Sequence, residues 1–340
     1  MIRRSPLAAG GVVASVASLD VLTRRAARRL LDAPRVLPGE ASLRPALDAL
    51  GGEVVRVRAR DGLRLSARWL VAEPGSAAGA ADGSSADPDW QPDPHEAILL
   101  LHGWSGSVAP DLVECGPYLR RTAGVLGLDF RGHGESDHAR STFGLREVDD
   151  VAGALAWLGE RGINRVALFG TSMGGIVAIA SVAVLGDGSL PSADADPAVP
   201  AHVPPAPRPR IVAVVVDSVP PELAVAVGSR IGGPWPKLVA ERLLARVARS
   251  LGGDPRETEP IRMVGLLEGV PLLLISGELD ATVPLPDARR LAAAAPAGSD
   301  HWVVPGAGHG GAHRAEEAEY EARTTRHLRA AFLGAREADL

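Results

Sequence analysis

The sequence lacks several things, and each shortage excludes a class of protein. It has one cysteine, Cys115, in 340 residues. A single thiol cannot build an internal disulfide framework, and this usage fits a reducing compartment. No nucleophile-bearing turn surrounds Cys115, so a half-buried structural thiol is expected there. Aromatic residues make up 4% against 46% hydrophobic, so the core must be aliphatic. Positive charge is not in excess either. A formal net charge of −5 argues against a nucleic-acid partner, which would need a basic face. The chain shows no glycine-rich phosphate loop and no internal repeat. His301, His309 and His313 are close in sequence, but no cysteine or paired carboxylate completes a zinc set. Neither a metal nor any other cofactor is expected.

A membrane span is missing as well. Residues 7–19 follow Arg3 and Arg4 as the apolar part of a secretory signal would, yet Gly10 and Gly11 interrupt them. They are too few to cross a bilayer. Next, Arg24, Arg25, Arg28 and Arg29 alternate with Leu22, Ala26, Leu30 and Leu31, the pattern of a basic amphipathic helix. Residues 1–52 are therefore read as a helical extension packed on the main domain of a cytoplasmic protein. Peripheral contact with an anionic membrane, or export, is the alternative reading of this segment.

What the chain does have is a change of hydrophobic period. Residues 53–59 and 63–68 alternate apolar and polar around Asp61-Gly62, the signature of an antiparallel hairpin at a sheet edge. From Ala97 the apolar runs become continuous: 97–101, 125–128, 166–169, 211–216 and 272–275. Such runs mark strands buried on both faces of a parallel sheet. Helical spacing lies between them, as in Val151, Leu155 and Leu158. The expected class is α/β, a mostly parallel sheet with an antiparallel N-terminal hairpin and helices on both faces. The main domain spans residues 53–335. Two low-complexity stretches, 73–94 and 186–209, read as mobile surface loops. Residues 220–263 carry Leu238, Leu243, Leu244, Val247 and Leu251 at helical spacing and read as a small helical cap. Arg242, Arg246 and Arg249 fall on its other faces and are expected to be solvated.

The chemistry centres on Gly170-Thr171-Ser172-Met173-Gly174-Gly175. An apolar strand precedes this Gly-x-Ser-x-Gly and an apolar helix follows it, the context of a nucleophile elbow. A serine on so tight a turn projects above the sheet, and the glycines remove side chains that would collide there. The N–H of Met173 then faces a developing oxyanion, and the N–H of Trp104, after His102-Gly103, can join it. Acyl transfer also needs a base and an orienting acid. Glu278 and Asp280 follow the run at 272–275, and His309 lies among glycines after the run at 301–304. Asp217 ends an earlier strand and is a competing acid. His313 is a fallback base, although Arg314, Glu316 and Glu317 suggest a solvated helix there. His102 and His133 are expected to order their own turns.

The order Ser172, Asp280, His309 resembles that of the α/β-hydrolase superfamily, particularly its small-capped serine hydrolases of the lysophospholipase and serine aminopeptidase-like group. The resemblance runs from about Glu53 to Phe332. It includes Asp129-Phe130-Arg131-Gly132-His133-Gly134-Glu135-Ser136, the Gly277-to-Asp280 loop followed by Val283-Pro284, and Gly306-x-Gly308-His309. It implies Ser172 as nucleophile, Asp280 as acid, His309 as base, and Trp104 and Met173 as oxyanion donors. The leading expectation is a carboxylic ester or thioester hydrolase acting on a small acyl substrate. A peptidase or amidase on the same triad, or a catalytically silent binding protein on this fold, are the rivals.

Overall fold

A computed structural model of the chain describes residues 23–73, 90–186, 208–231 and 236–340. The alternating segments form β1 (Glu53–Arg58) and β2 (Arg64–Leu70), antiparallel with Val57 opposite Leu65. β1 is an edge strand: it buries Val55 and Val57 and exposes the other four residues, as a period of two requires. The continuous runs form β3 (Glu96–Leu101), β4 (Gly124–Leu128), β5 (Arg165–Thr171), β6 (Arg210–Asp217) and β7 (Leu272–Gly277). With β8 (Asp300–Val304) they give one eight-stranded sheet, ordered β1-β2-β4-β3-β5-β6-β7-β8. Every pairing from β4 to β8 is parallel. This is the α/β-hydrolase fold read from the sequence.

Successive strand residues feed opposite faces. Leu99, Leu101, Leu126, Leu168 and Val214 pack toward α4 (Glu147–Gly159) and α5 (Met173–Leu185). Ile98, Leu100, Val125, Phe169 and Val215 pack toward α3 (Ala109–Leu119) and α11 (Glu317–Ala338). α5 is apolar and buried around nearly its whole circumference, as suits a helix wedged between the sheet and other helices. At the amino ends of the strands, buried Glu96 accepts from Arg165 Nε at 3.1 Å and Arg336 Nη2 at 2.7 Å, fastening α11 to β3 and β5.

Residues 23–31 are helical (α1), and α2 (Arg44–Leu50) precedes β1. Ala27 and Leu31 of α1 enter the main core. After β6 the chain forms α6 (Leu223–Ile231) and α7 (Pro236–Leu251), then the short α8 (Pro260–Met263). α7 buries Ala240, Leu243, Leu244 and Val247. Leu238, expected on that face, is 47% exposed. At 100° per residue it stands about 140° away from Leu243, so it cannot share the stripe. Arg246 is not simply solvated, because it donates to Thr23 Oγ1 of α1 at 2.9 Å. The remaining helices are α9 (Leu285–Ala293) and α10 (Ala312–Ala315). Most of the two loop expectations, and all of residues 1–22, fall outside the described residues. Where the stretch 73–94 is described, Trp90 is buried and donates to the Thr122 carbonyl at 3.0 Å.

Candidate active site

β5 ends at Thr171 and α5 begins at Met173, which leaves Ser172 alone at the corner. Its φ of 52° and ψ of −111° lie where a side chain is strained, at a cost of about 1–3 kcal/mol. The surroundings enforce it. A Cβ on Gly170 would come within 2.4 Å of the Gly174 backbone, and one on Gly174 within 2.0 Å of the Leu101 carbonyl oxygen. Ser172 N–H is fastened to the Asp217 carbonyl at 2.8 Å.

Three strand-end loops meet above this corner. His309 Nε2 lies 3.0 Å from Ser172 Oγ, and its Nδ1 lies 2.8 Å from Asp280 Oδ2. The other Asp280 oxygen accepts the backbone N–H groups of Thr282 and Val283, both at 2.8 Å. Asp280 is thus fixed by three donors while its side chain is 1% exposed; the His309 side chain is 23% exposed. With Nδ1–H donated to the carboxylate, Nε2 is left as an acceptor for the serine hydroxyl. Such an arrangement can remove a proton from Ser172 and return it to a leaving group.

Trp104 lies on the loop after β3 and Met173 on the first turn of α5. The first N–H groups of a helix have no intrahelical partner. Among the described residues, the Trp104 N–H has no backbone acceptor. The Trp104 loop is held from several directions. Its indole donates to the Leu30 carbonyl at 3.1 Å, Gly106 N–H to the Pro34 carbonyl at 2.7 Å, and Ser107 Oγ to Glu40 Oε2 at 2.8 Å. Ser105 N–H donates to His133 Nε2 at 3.3 Å. His102 Nε2 accepts from Phe130 N–H at 3.1 Å, and burial together with the neighbouring His133 lowers its pKa to about 3. Both histidines are therefore neutral acceptors that order loops. The strap at residues 30–40 escaped the sequence reading because nothing local in it resembles a site.

The competing residues lie elsewhere. Asp217 accepts from Ser218 Oγ at 2.8 Å and Tyr320 Oη at 3.2 Å, not from His309. Burial pushes its carboxyl up to about 6, against the pull of those two hydroxyls. Glu278 accepts from Gly306 N–H at 3.0 Å. His313 is buried rather than solvated. Its Nδ1 is 3.2 Å from Glu114 and its Nε2 3.5 Å from Glu321. Burial opposes its charge, but the two carboxylates outweigh it and raise the pKa to about 9. His313, Glu317 and Glu321 present ligand atoms within 4.8 Å of one another, a geometry open to a cation. An imidazolium held between two carboxylates has no lone pair to offer, so a cation would first have to displace that proton. Asp111, missed in the sequence, lines the cleft beside Ser172. Burial raises its carboxyl to about 7, with Thr171 hydrogen bonding in opposition.

The cleft over Ser172 holds about 230 Å³, with Trp104, Asp111, Arg230 and His309 among its walls. A family profile described as "Alpha/beta hydrolase family" matches residues 98–323. The chain belongs to the alpha/beta hydrolase family. Solved structures agree with this at the level of fold. An esterase from Pyrococcus furiosus superposes with a TM-score of 0.58 at 20% identity, covering 89% of this chain and 98% of its own. An alpha-beta hydrolase from Vibrio vulnificus gives 0.60 at 18%, covering 90% and 93%. An alpha/beta hydrolase from Penicillium sp. gives 0.56 at 16%, covering 83% and 99%. No curated protein matches this alpha/beta hydrolase by sequence. Among its described residues, no helix is long and apolar enough to cross a membrane.

Proposed function

We propose that this alpha/beta hydrolase is a serine hydrolase that cleaves a carboxylic ester or thioester through an acyl-enzyme. One observation carries the reading: a single imidazole, His309, bridges Ser172 Oγ and the Asp280 carboxylate. Ser172 Oγ attacks the acyl carbonyl while His309 Nε2 takes its proton. The resulting oxyanion is met by the N–H groups of Trp104 and Met173; a donor of this kind contributes about 3–4 kcal/mol to the transition state. Asp280 holds Nδ1–H and balances the imidazolium that forms. His309 then protonates the departing alcohol or thiol, activates a water, and Ser172 is released. The loop from Asp129 to Ser136 and the small cap favour the lysophospholipase and serine aminopeptidase-like group within the family.

Cleavage of an amide bearing a free amine is the second reading, favoured by one atom. Among the described residues, Glu40 Oε1 is buried without a hydrogen-bond partner, and Glu40 lines the cleft. Against it, the neighbouring carboxylates are engaged: Glu114 with His313 and Arg314, and Asp111 with Thr171. Fluorophosphonate is expected to label Ser172 alone, and Ser172→Ala to abolish labelling with an unchanged circular dichroism spectrum. Undiminished labelling of that variant would sink the proposal. Matched p-nitrophenyl esters and amino-acid p-nitroanilides then separate the two readings.

A further inference from the structure

The catalytic cleft shares two of its walls, Trp104 and Arg230, with a second cavity of about 450 Å³. This second space lies between α1 and the cap. Its apolar lining includes Leu30 of α1, Val227 of α6 and Leu243 of α7. Its charged lining is of one sign: Arg25 and Arg29, one turn apart on α1, and Arg230 near the end of α6. Among the described residues, no carboxylate lines it.

Those three guanidinium groups lack the carboxylate clamps that hold the buried arginines of the sheet and its loops. Arg131 is clamped by Asp61 and Asp150, Arg165 by Asp93, Glu96 and Asp339, and Arg256 by Glu241 and Asp254. Arg25, Arg29 and Arg230 have no ion pair among the described residues, although the chain as a whole is acidic. Arg230 stacks on Trp104, its guanidinium carbon 5.4 Å from the centre of the ring. Burial weakens its hold on the proton, and no anion compensates for it. Arg25, Arg29 and Arg230 are exposed at the margin of this apolar hollow and give its mouth a positive charge. Arginine is suited to receive an anion there because its planar fork grips carboxylate or phosphate oxygens in pairs.

We propose that this cavity is a subsite for an anionic group, carboxylate or phosphate, carried on a short apolar arm of the substrate whose acyl carbon meets Ser172. This rests on the serine hydrolase reading above. Trp104 joins the two spaces: it lines the cleft over Ser172, where that reading assigns its N–H to the oxyanion, and it also lines the anionic subsite. The hollow is concave with an apolar floor, which favours one small amphiphile over a membrane surface.

Binding can be measured without turnover. Calorimetry on Ser172→Ala at low salt compares octanoate, octyl phosphate and octanol. Both anions are expected to bind at least tenfold more tightly than octanol, and the stronger of the two identifies the head group. Adding Arg25→Gln, Arg29→Gln and Arg230→Gln together should weaken the anions at least tenfold and leave octanol unchanged. Equal affinity for octanol, or anion binding indifferent to the triple change, overturns the proposal. In the active protein, Arg25→Gln with Arg29→Gln, neither of which lines the cleft over Ser172, should raise KM several-fold for p-nitrophenyl hydrogen glutarate and less than twofold for p-nitrophenyl pentanoate. If both esters are hydrolysed without regard to charge, the subsite fails and the hydrolase reading stands. If neither is hydrolysed but octanoate binds through the arginines, the hydrolase reading fails instead. Loss of sedimentation with phosphatidylglycerol vesicles, with octanoate binding intact, would assign the arginines to a membrane and overturn the subsite.

Discussion

The ends of β6 and β7 make a useful pair. Each delivers an aspartate to the catalytic face, Asp217 as the last residue of β6 and Asp280 three residues beyond β7. They are almost equally buried, at 3% and 5% exposed. Their donors differ. Asp280 receives two backbone N–H groups and an imidazole, whereas Asp217 receives two neutral hydroxyls. Burial alone therefore does not separate the two carboxylates; their donors do. The loop at the end of β7 carries its carboxylate out over the sheet to where the histidine loop arrives. At β6 the carboxylate stays at the level of the strand and turns to Tyr320. Asp217 still bears on the site, but through the main chain. Its carbonyl accepts from Ser172 N–H, and Ser218, bonded to its side chain, accepts from Gly310 N–H beside His309. On this reading one aspartate orients the base and the other supports the loops that carry nucleophile and base.

Substitutions at the two ends should separate these roles. The largest effect is expected from Asp280→Asn, which loses about 10⁴ in kcat with KM nearly unchanged, measured on one activated ester. A comparable loss for a folded Asp217→Asn would break the comparison. Asp217→Asn should instead change kcat by less than tenfold and act on stability. Its carboxyl is raised from 3.8 to about 6, so the folded protein favours the neutral form. The stability linked to that proton is fully present below about pH 3.8 and is lost as pH rises through about 6. Between pH 4 and 7 the wild-type advantage over Asp217→Asn in urea unfolding should therefore shrink by about 2–3 kcal/mol. A flat difference would mean that Asp217 is charged without penalty. The smallest effect belongs to Ser218→Ala. It frees Gly310 N–H and one Asp217 oxygen, at a cost of about 1 kcal/mol of stability and a few-fold in kcat. A loss like that of Asp280→Asn would show that β6 contributes to the chemistry directly.

These ends also show what a sequence discloses. The corner at Ser172 was legible because a strained strand-to-helix turn demands glycines at fixed offsets between an apolar strand and an apolar helix. The sheet was legible for the same kind of reason: buried parallel strands such as 97–101 leave continuous apolar runs. Asp280 and His309 could be named from their loops. Asp217 could be ranked behind them only by resemblance, since strand-end position describes both aspartates equally well. Contacts across distant segments left no trace. Leu30, Pro34 and Glu40 meet the Trp104 loop some seventy residues away, across 74 positions in the case of Leu30, and no local period records such a meeting. His313 looked solvated because its sequence neighbours are charged, yet the acids that enclose it include Glu114, on α3. Leu238 matches the apolar stripe of α7 in residue type but not in angle, and it stays 47% exposed.

The strap at residues 30–40 has a further consequence, for the order in which the protein can come together. Arg35 bonds to the Gly134 carbonyl across 99 residues and to the Ser136 carbonyl across 101. Synthesis proceeds from the N-terminus at about 5–20 residues per second, so the strap leaves the ribosome about 5–20 seconds before those partners exist. Leu31 waits slightly longer, since its carbonyl accepts from Ser141 N–H at 2.8 Å. The segment made early is among those that must wait, and the Trp104 loop cannot be fully braced until the chain beyond Ser136 has emerged.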